Sequence, residues 1–175
     1  WRPNGLWLSF FRAVGNRGRV WYVSRDSVGG EWRQAAQLTD FPGVASDWAP
    51  DGSGYVSNFG AEQNARLATL VMVGPDGKAV RRPLPAASRL SLGQELIYAR
   101  DGRTIYGAGV HEDGRQGVWA IPVSGAGEPR LVVAFDTPAL NTFPSVAPAL
   151  RVGRDSLYLT VSEYESDIWV ANLRW

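Results

Sequence analysis

The chain of 175 residues carries 18 Lys and Arg against 17 Asp and Glu, and a formal net charge of +1 generates no long-range field favouring nucleic acid or an anionic membrane. With no Cys there is no disulfide framework, thiolate metal site or cysteine nucleophile, and no run of about 18 apolar residues predicts a membrane span. A composition of 45% hydrophobic residues with 20 Gly and 11 Pro is that of a folded domain of short, frequently turned elements around a sizeable core.

The first element signal is the phrase Trp1-Arg2-Pro3-Asn4-Gly5. Pro3 fixes φ and cannot pair inside a sheet, while Asn4-Gly5 tolerates the positive φ that a tight turn demands. Strands are predicted at Leu6–Phe10, Val20–Val23 and Arg33–Leu38. The phrase returns as Trp48-Ala49-Pro50-Asp51-Gly52, followed by predicted strands at Tyr55–Phe59, Thr69–Met72 and Ala79–Leu84, with Asp76-Gly77 turning between the last two. Pro83 cannot donate to a ladder, which suits an exposed outer edge. A third copy, Tyr98-Ala99-Arg100-Asp101-Gly102, lacks Trp and Pro, so its turn is expected to differ in shape. It precedes strands at Thr104–Ala108, Val118–Ile121 and Pro129–Val133. The fourth unit replaces the phrase with Ala149–Asp155, then continues with Leu157–Val161 and Ile168–Ala171.

Aligned on Val20, Thr69, Val118 and Ile168, the third strands of the units are spaced 49, 49 and 50 residues apart. That period matches the four-stranded blades of a β-propeller. The expected fold is therefore all-β, a propeller of four-stranded antiparallel blades with units at 1–40, 41–85, 86–135 and 136–175. Trp1, Trp21, Trp48, Trp119 and Trp169 are expected to pack between adjacent sheets, in preference to stacking on a ligand. Residue 1 lies inside a turn phrase and Trp175 precedes any fourth strand of the last unit, so both end units are expected to be incomplete. Either further blades of a larger propeller lie upstream, or the first and last units share strands in a four-bladed ring.

Chemistry-bearing motifs are scarce. His111 is the sole histidine, no Gly-x-Ser-x-Gly elbow occurs, and no Gly-rich phosphate loop opens a helix. No catalytic constellation, cofactor or zinc site is expected within these residues. The connections between second and third strands carry the candidate binding residues: Arg12, Arg17 and Arg19; Glu62, Asn64 and Arg66; His111, Glu112, Asp113 and Arg115; and Glu163, Tyr164 and Glu165. In a propeller these loops emerge on one face around the channel, where a rigid scaffold collects binding residues. Their mixed Arg, Glu and Tyr content suits a protein or peptide partner, with a small-molecule ligand as the alternative; a plain solvated loop would look much the same. The His111–Arg115 segment could also offer oxygens to a cation or a proton-sensitive contact. On the same face Phe41, Leu140 and Phe143 lie in Pro-bearing loops, as interface anchors or as plugs between blades.

The phrases Trp48-Ala49-Pro50-Asp51-Gly52, Gln37-Leu38-Thr39-Asp40 and Ser166-Asp167-Ile168-Trp169-Val170-Ala171-Asn172-Leu173 resemble the signature elements of TolB-like, WD-like propeller repeats of bacterial proteins. The resemblance spans essentially the whole chain. It implies a non-catalytic binding or scaffold module, or the sensor or regulatory propeller of a larger enzyme. Such blades occur in periplasmic Tol-system proteins, in gating domains of prolyl-oligopeptidase-like serine peptidases, and as C-terminal modules of bacterial Ser/Thr kinases. The closing Ser162–Trp169 is similar to ends of the kinase-linked group. An extracytoplasmic location is implied by the resemblance alone.

Overall fold

A computed structural model describes residues 1–14, 17–41, 45–58, 68–74, 76–135, 150–153 and 156–159. Among these the chain is all-β, built from four antiparallel sheets whose strands neighbour one another in chain order. The first sheet holds β1 (Trp7–Val14), β2 (Arg17–Ser24) and the short β3 (Ala36–Gln37); the second holds β4 (Ala45–Trp48), β5 (Gly54–Asn58), β6 (Ala68–Val73) and β7 (Ala79–Pro83). A 3₁₀ turn, Pro85–Ala87, leads to the third sheet of β8 (Leu90–Tyr98), β9 (Thr104–His111), β10 (Gln116–Pro122) and β11 (Arg130–Ala134). The fourth sheet is described as the pair β12 (Leu150–Val152) and β13 (Leu157–Leu159).

One turn is built three times. Gly5, Gly52 and Gly102 adopt φ of 69°, 72° and 69°, and each donates its N–H to the carbonyl three residues back, at 2.9, 2.8 and 3.0 Å. The preceding Asn4, Asp51 and Asp101 accept from the backbone N–H two residues on, at 3.0, 2.9 and 2.9 Å. The third copy therefore has the shape of the other two, contrary to the sequence expectation. The geometry needs an Asx side chain and a residue tolerant of positive φ, and neither the Trp nor the Pro takes part in it.

The turns also set the register of the strands behind them. Equivalent rungs join Arg25 to Leu6, Val73 to Ser53 and Val123 to Arg103, which makes Val20, Ala68 and Val118 equivalent residues. The sequence alignment on Thr69 is thus one residue out in the second sheet. Because side chains alternate between faces, that slip had paired residues on opposite faces: the equivalent of Trp21 and Trp119 is Thr69, not Leu70. The fourth strand expected at Arg33–Leu38 is in ladder register at Ala36 and Gln37, while Arg33 and Leu38 on either side donate their N–H groups to the Ser24 and Val20 carbonyls at 2.8 and 2.9 Å.

Three apolar layers join the sheets. Val20 and Leu38 of the first sheet meet Trp48, Tyr55, Val71 and Val73 of the second, with Trp7 and Tyr22 stacked at 4.3 Å beside them. Val56 and Leu70 on the opposite face of the second sheet pack with Leu92, Leu96, Ile105, Trp119 and Ile121 of the third. Ala108 and Val118 then pack with Leu150, Leu157 and Leu159 of the fourth.

Specific hydrogen bonds cross each layer. Trp48 Nε1 donates to Ser9 Oγ at 2.8 Å, the Tyr98 N–H donates to Asp47 Oδ2 at 2.8 Å, and the Leu150 N–H donates to Glu95 Oε2 at 2.9 Å. Burial raises the Asp47 carboxyl above its ordinary range, while the Tyr98 N–H pulls the other way.

Of the tryptophans expected between sheets, Trp48 and Trp119 are buried, but Trp1 is 63% exposed, its ring 5.6 Å from that of Trp32. The physical reason is local: Trp48 is covered by the first sheet, and no described sheet lies over the equivalent face at Trp1. Trp21 is half-buried beneath Arg12, and Trp169 lies outside the described residues.

Truncation should separate these environments. Trp48→Ala is expected to lower stability by about 3–5 kcal/mol, whereas Trp1→Ala should change it by about 0.5 kcal/mol or less. Urea unfolding of both variants checks this, and equal losses would contradict the assignment of Trp48 to the shared core.

Candidate binding rim

Of the expected rim, the β9–β10 hairpin end and the strand residues leading into the β1–β2 hairpin are described, and they are chemically different. In the first sheet, Arg12 and Arg19 stand directly opposite one another across β1 and β2. The Arg12 guanidinium lies over the Trp21 ring, 4.7 Å from its centroid, and Arg19 donates to the Asp40 carbonyl. That carbonyl is held in place by the start of the β3–β4 connection. Leu38 N–H donates to the Val20 carbonyl at 2.9 Å, and buried Thr39 donates through Oγ1 to the Phe41 carbonyl at 2.9 Å. Phe41 packs against the core between the first and second sheets, so of the two expectations for it the plug is the one observed. Its ring also carries Arg81 at 4.7 Å.

In the third sheet, β9 and β10 meet through His111-Glu112-Asp113-Gly114-Arg115. The His111 N–H donates to the Arg115 carbonyl at 2.9 Å, the Gly114 N–H donates to the His111 carbonyl at 2.9 Å, and Gly114 takes a φ of 89°. Asp113 is the hub of the loop. Its Oδ2 accepts from Arg115 Nε at 2.8 Å and its Oδ1 from the Arg115 N–H at 3.1 Å. His111 Nδ1 is 2.9 Å from Asp113 Oδ1 and 3.4 Å from the Asp113 N–H; the shorter contact is the stronger, and it makes Nδ1 a donor to the carboxylate.

The Arg115 side chain, followed by its N–H and by His111, holds the Asp113 carboxyl well below the usual carboxylate range. Trp119 forms the floor of the loop, with His111 stacked on it at 5.2 Å and Arg115 over it at 5.4 Å. The Trp119 indole donates to the Gly109 carbonyl at 3.1 Å. Glu112 pairs with Arg89 at 3.2 Å and donates its N–H to the Arg89 carbonyl at 3.0 Å.

The structure thus brings together His111, Asp113 and Arg115, with Glu112 turned to a neighbour, and separately sets Arg12 beside Arg19. Arg17 opens β2 opposite Val14, and its side chain lies outside the described set. Glu62, Asn64, Arg66, Glu163, Tyr164 and Glu165, together with Leu140 and Phe143, lie outside the described residues. Sequence reading missed Arg89 and Arg81, because each meets a residue distant in the chain, Glu112 and Phe41, and carries no local signature. A cleft of about 310 Å³ beside Arg89, lined also by Pro85, Ser88, Gly125 and Glu128, was likewise unmarked in the sequence. Among the described residues no group of three or more His, Asp or Glu side chains is arranged to hold a metal ion.

In comparisons with known proteins, no family model, no curated protein and no solved structure matches the chain.

The hairpin lock has a pH signature. Asp113 favours its charged form in the folded chain, so the contact is present at pH above the ordinary carboxylate range and is lost as pH falls well below it. Arg115→Gln should move the Asp113 titration up toward the ordinary range. Carboxyl-carbon NMR titration checks this, and an unmoved Asp113 would remove Arg115 as the cause.

Proposed function

We propose that the four sheets are blades of a β-propeller of the TolB-like kind, part of a larger propeller, serving as a non-catalytic platform that binds a protein or peptide through its hairpin rim. The observation that carries the binding reading is the His111–Asp113–Arg115 loop, tied to its own carboxylate and floored by Trp119. Such a loop presents charge in a fixed geometry, which lowers the ordering entropy lost when a partner docks.

The propeller reading is supported by the meander order within each sheet and by the succession of sheets, with β4 and β5 lying against β8 and β8 against β12.

The absence of Cys makes labelling direct. Spin labels at Asn4→Cys and Ser156→Cys should lie far beyond the separation of about 10 Å between packed neighbouring sheets. A distance close to that separation would replace the larger propeller with a closed four-bladed ring. For the platform, a photo-crosslinking residue at Glu112 is expected to capture a partner that the same residue at Asn4, on the turn side, does not. Capture from Asn4 alone would sink the rim as the binding face.

A further inference from the structure

The near-neutral total charge conceals a strong local imbalance. The first 25 residues contain Arg2, Arg12, Arg17, Arg19 and Arg25 and no Asp or Glu, leaving the remainder of the chain net acidic. Two of these arginines have structural work at the turn end of the sheet. Arg2 donates through Nε to the Gly52 carbonyl at 2.9 Å and lies over both Trp7 and Trp48, while Arg25 donates to the Gly5 carbonyl at 3.0 Å and lies over Trp32.

Arg12 and Arg19 differ from these. Neither has a carboxylate within ion-pair distance among the described residues, yet they face each other directly across the ladder, where like charges destabilise. The fold does not require them there: the equivalent cross-strand pair in the third sheet is Gly109 and Gly117. The contrast with the other described hairpin is complete, since Arg115 is neutralised by Asp113 and Arg89 is paired with Glu112.

We propose that the Arg12–Arg19 end of the β1–β2 hairpin, extended by Arg81 beyond Phe41, is the docking point for an acidic segment of a protein partner, whose Asp or Glu carboxylates are received by these guanidinium forks. This rests on the platform reading above and names the chemistry of its partner. Each fork is already oriented, Arg12 and Arg81 by aromatic rings and Arg19 by the Asp40 carbonyl, so little side-chain freedom is lost on binding. Planar guanidinium and planar carboxylate match as bidentate pairs. A nucleic acid backbone suits the site less well, because Arg12 and Arg19 form a short local patch on a chain whose remainder is net acidic, and not a line of cations that tracks successive phosphates.

The test uses the 175-residue chain and a fluorescent peptide of alternating Glu and Gly, with a Gln-Gly peptide of equal length as the neutral counterpart. Anisotropy titration should give saturable binding of the Glu peptide, weakened by salt, and reduced about tenfold by Arg12→Gln and again by Arg19→Gln. The double variant Arg100→Gln with Arg103→Gln makes the same charge change at the third turn and should alter affinity less than about twofold. The proposal is overturned if the turn variant loses as much as the hairpin variants, if the Gln peptide binds equally well, or if single-stranded DNA binds through Arg12 and Arg19 while the Glu peptide does not. Peptide binding at these arginines with no capture from Glu112 would support the docking point and remove the wider rim. Capture from Glu112 with no peptide binding at the arginines would do the reverse.

Discussion

The rest of the architecture depends on a turn in which a glycine at positive φ closes on a carbonyl three residues back and an Asx side chain caps the strand that follows. Because the Asx oxygen captures the N–H two residues on, the turn fixes the first residue of the next strand and so the register of the whole hairpin behind it. In the second and third sheets this turn joins the first two strands, and in the first it leads into β1. Their inward and outward faces are then settled without reference to one another, and the apolar layers between them follow from that common starting point.

What joins one sheet to the next is less uniform. A tryptophan donating to a serine, an aspartate receiving a tyrosine N–H, and a glutamate receiving a leucine N–H occupy successive layers, and only the apolar filling around them is shared. The Glu95 contact depends on an irregularity in β8, where the register with β9 shifts between Leu92 and Leu96. The two carboxylates are therefore placed by different means. Each interface is specific to its own pair of sheets, as expected of repeats that have diverged while keeping one backbone plan.

Much of this was legible in the sequence, and the exceptions have physical reasons. Asx-Gly pairs and the aromatic runs after them announce turns and second strands, because both signals are local. The third strand of the second sheet was misplaced by one residue because Ala68-Thr69-Leu70-Val71 carries no aromatic marker to fix its phase. The shared phrase makes Trp1 and Trp48 look alike as core, but burial belongs to the neighbouring sheet and not to the phrase. Of the binding rim, the residues were legible and the pairings were not: Arg89 with Glu112 and Arg19 with the Asp40 carbonyl join segments about 20 residues apart, which is the range of the connections and not of any motif.

The turns carry one more consequence, for how this chain tolerates change. A methyl group on Gly102 would lie 3.5 Å from Pro50, and one on Gly52 would lie 3.3 Å from Arg2 and 3.8 Å from Pro3, so each turn leans on the turn of the preceding sheet. At the opposite end the described His111–Arg115 loop closes on its own Asp113 carboxylate, reaches outside its hairpin through Glu112 to Arg89, and leaves open space around a methyl group at Gly114. Substitutions at Gly52 and Gly102 therefore disturb two sheets together, whereas one at the Gly114 tip disturbs its own loop. Among the described residues, the turns are bound to change in concert and this loop is free to diversify alone.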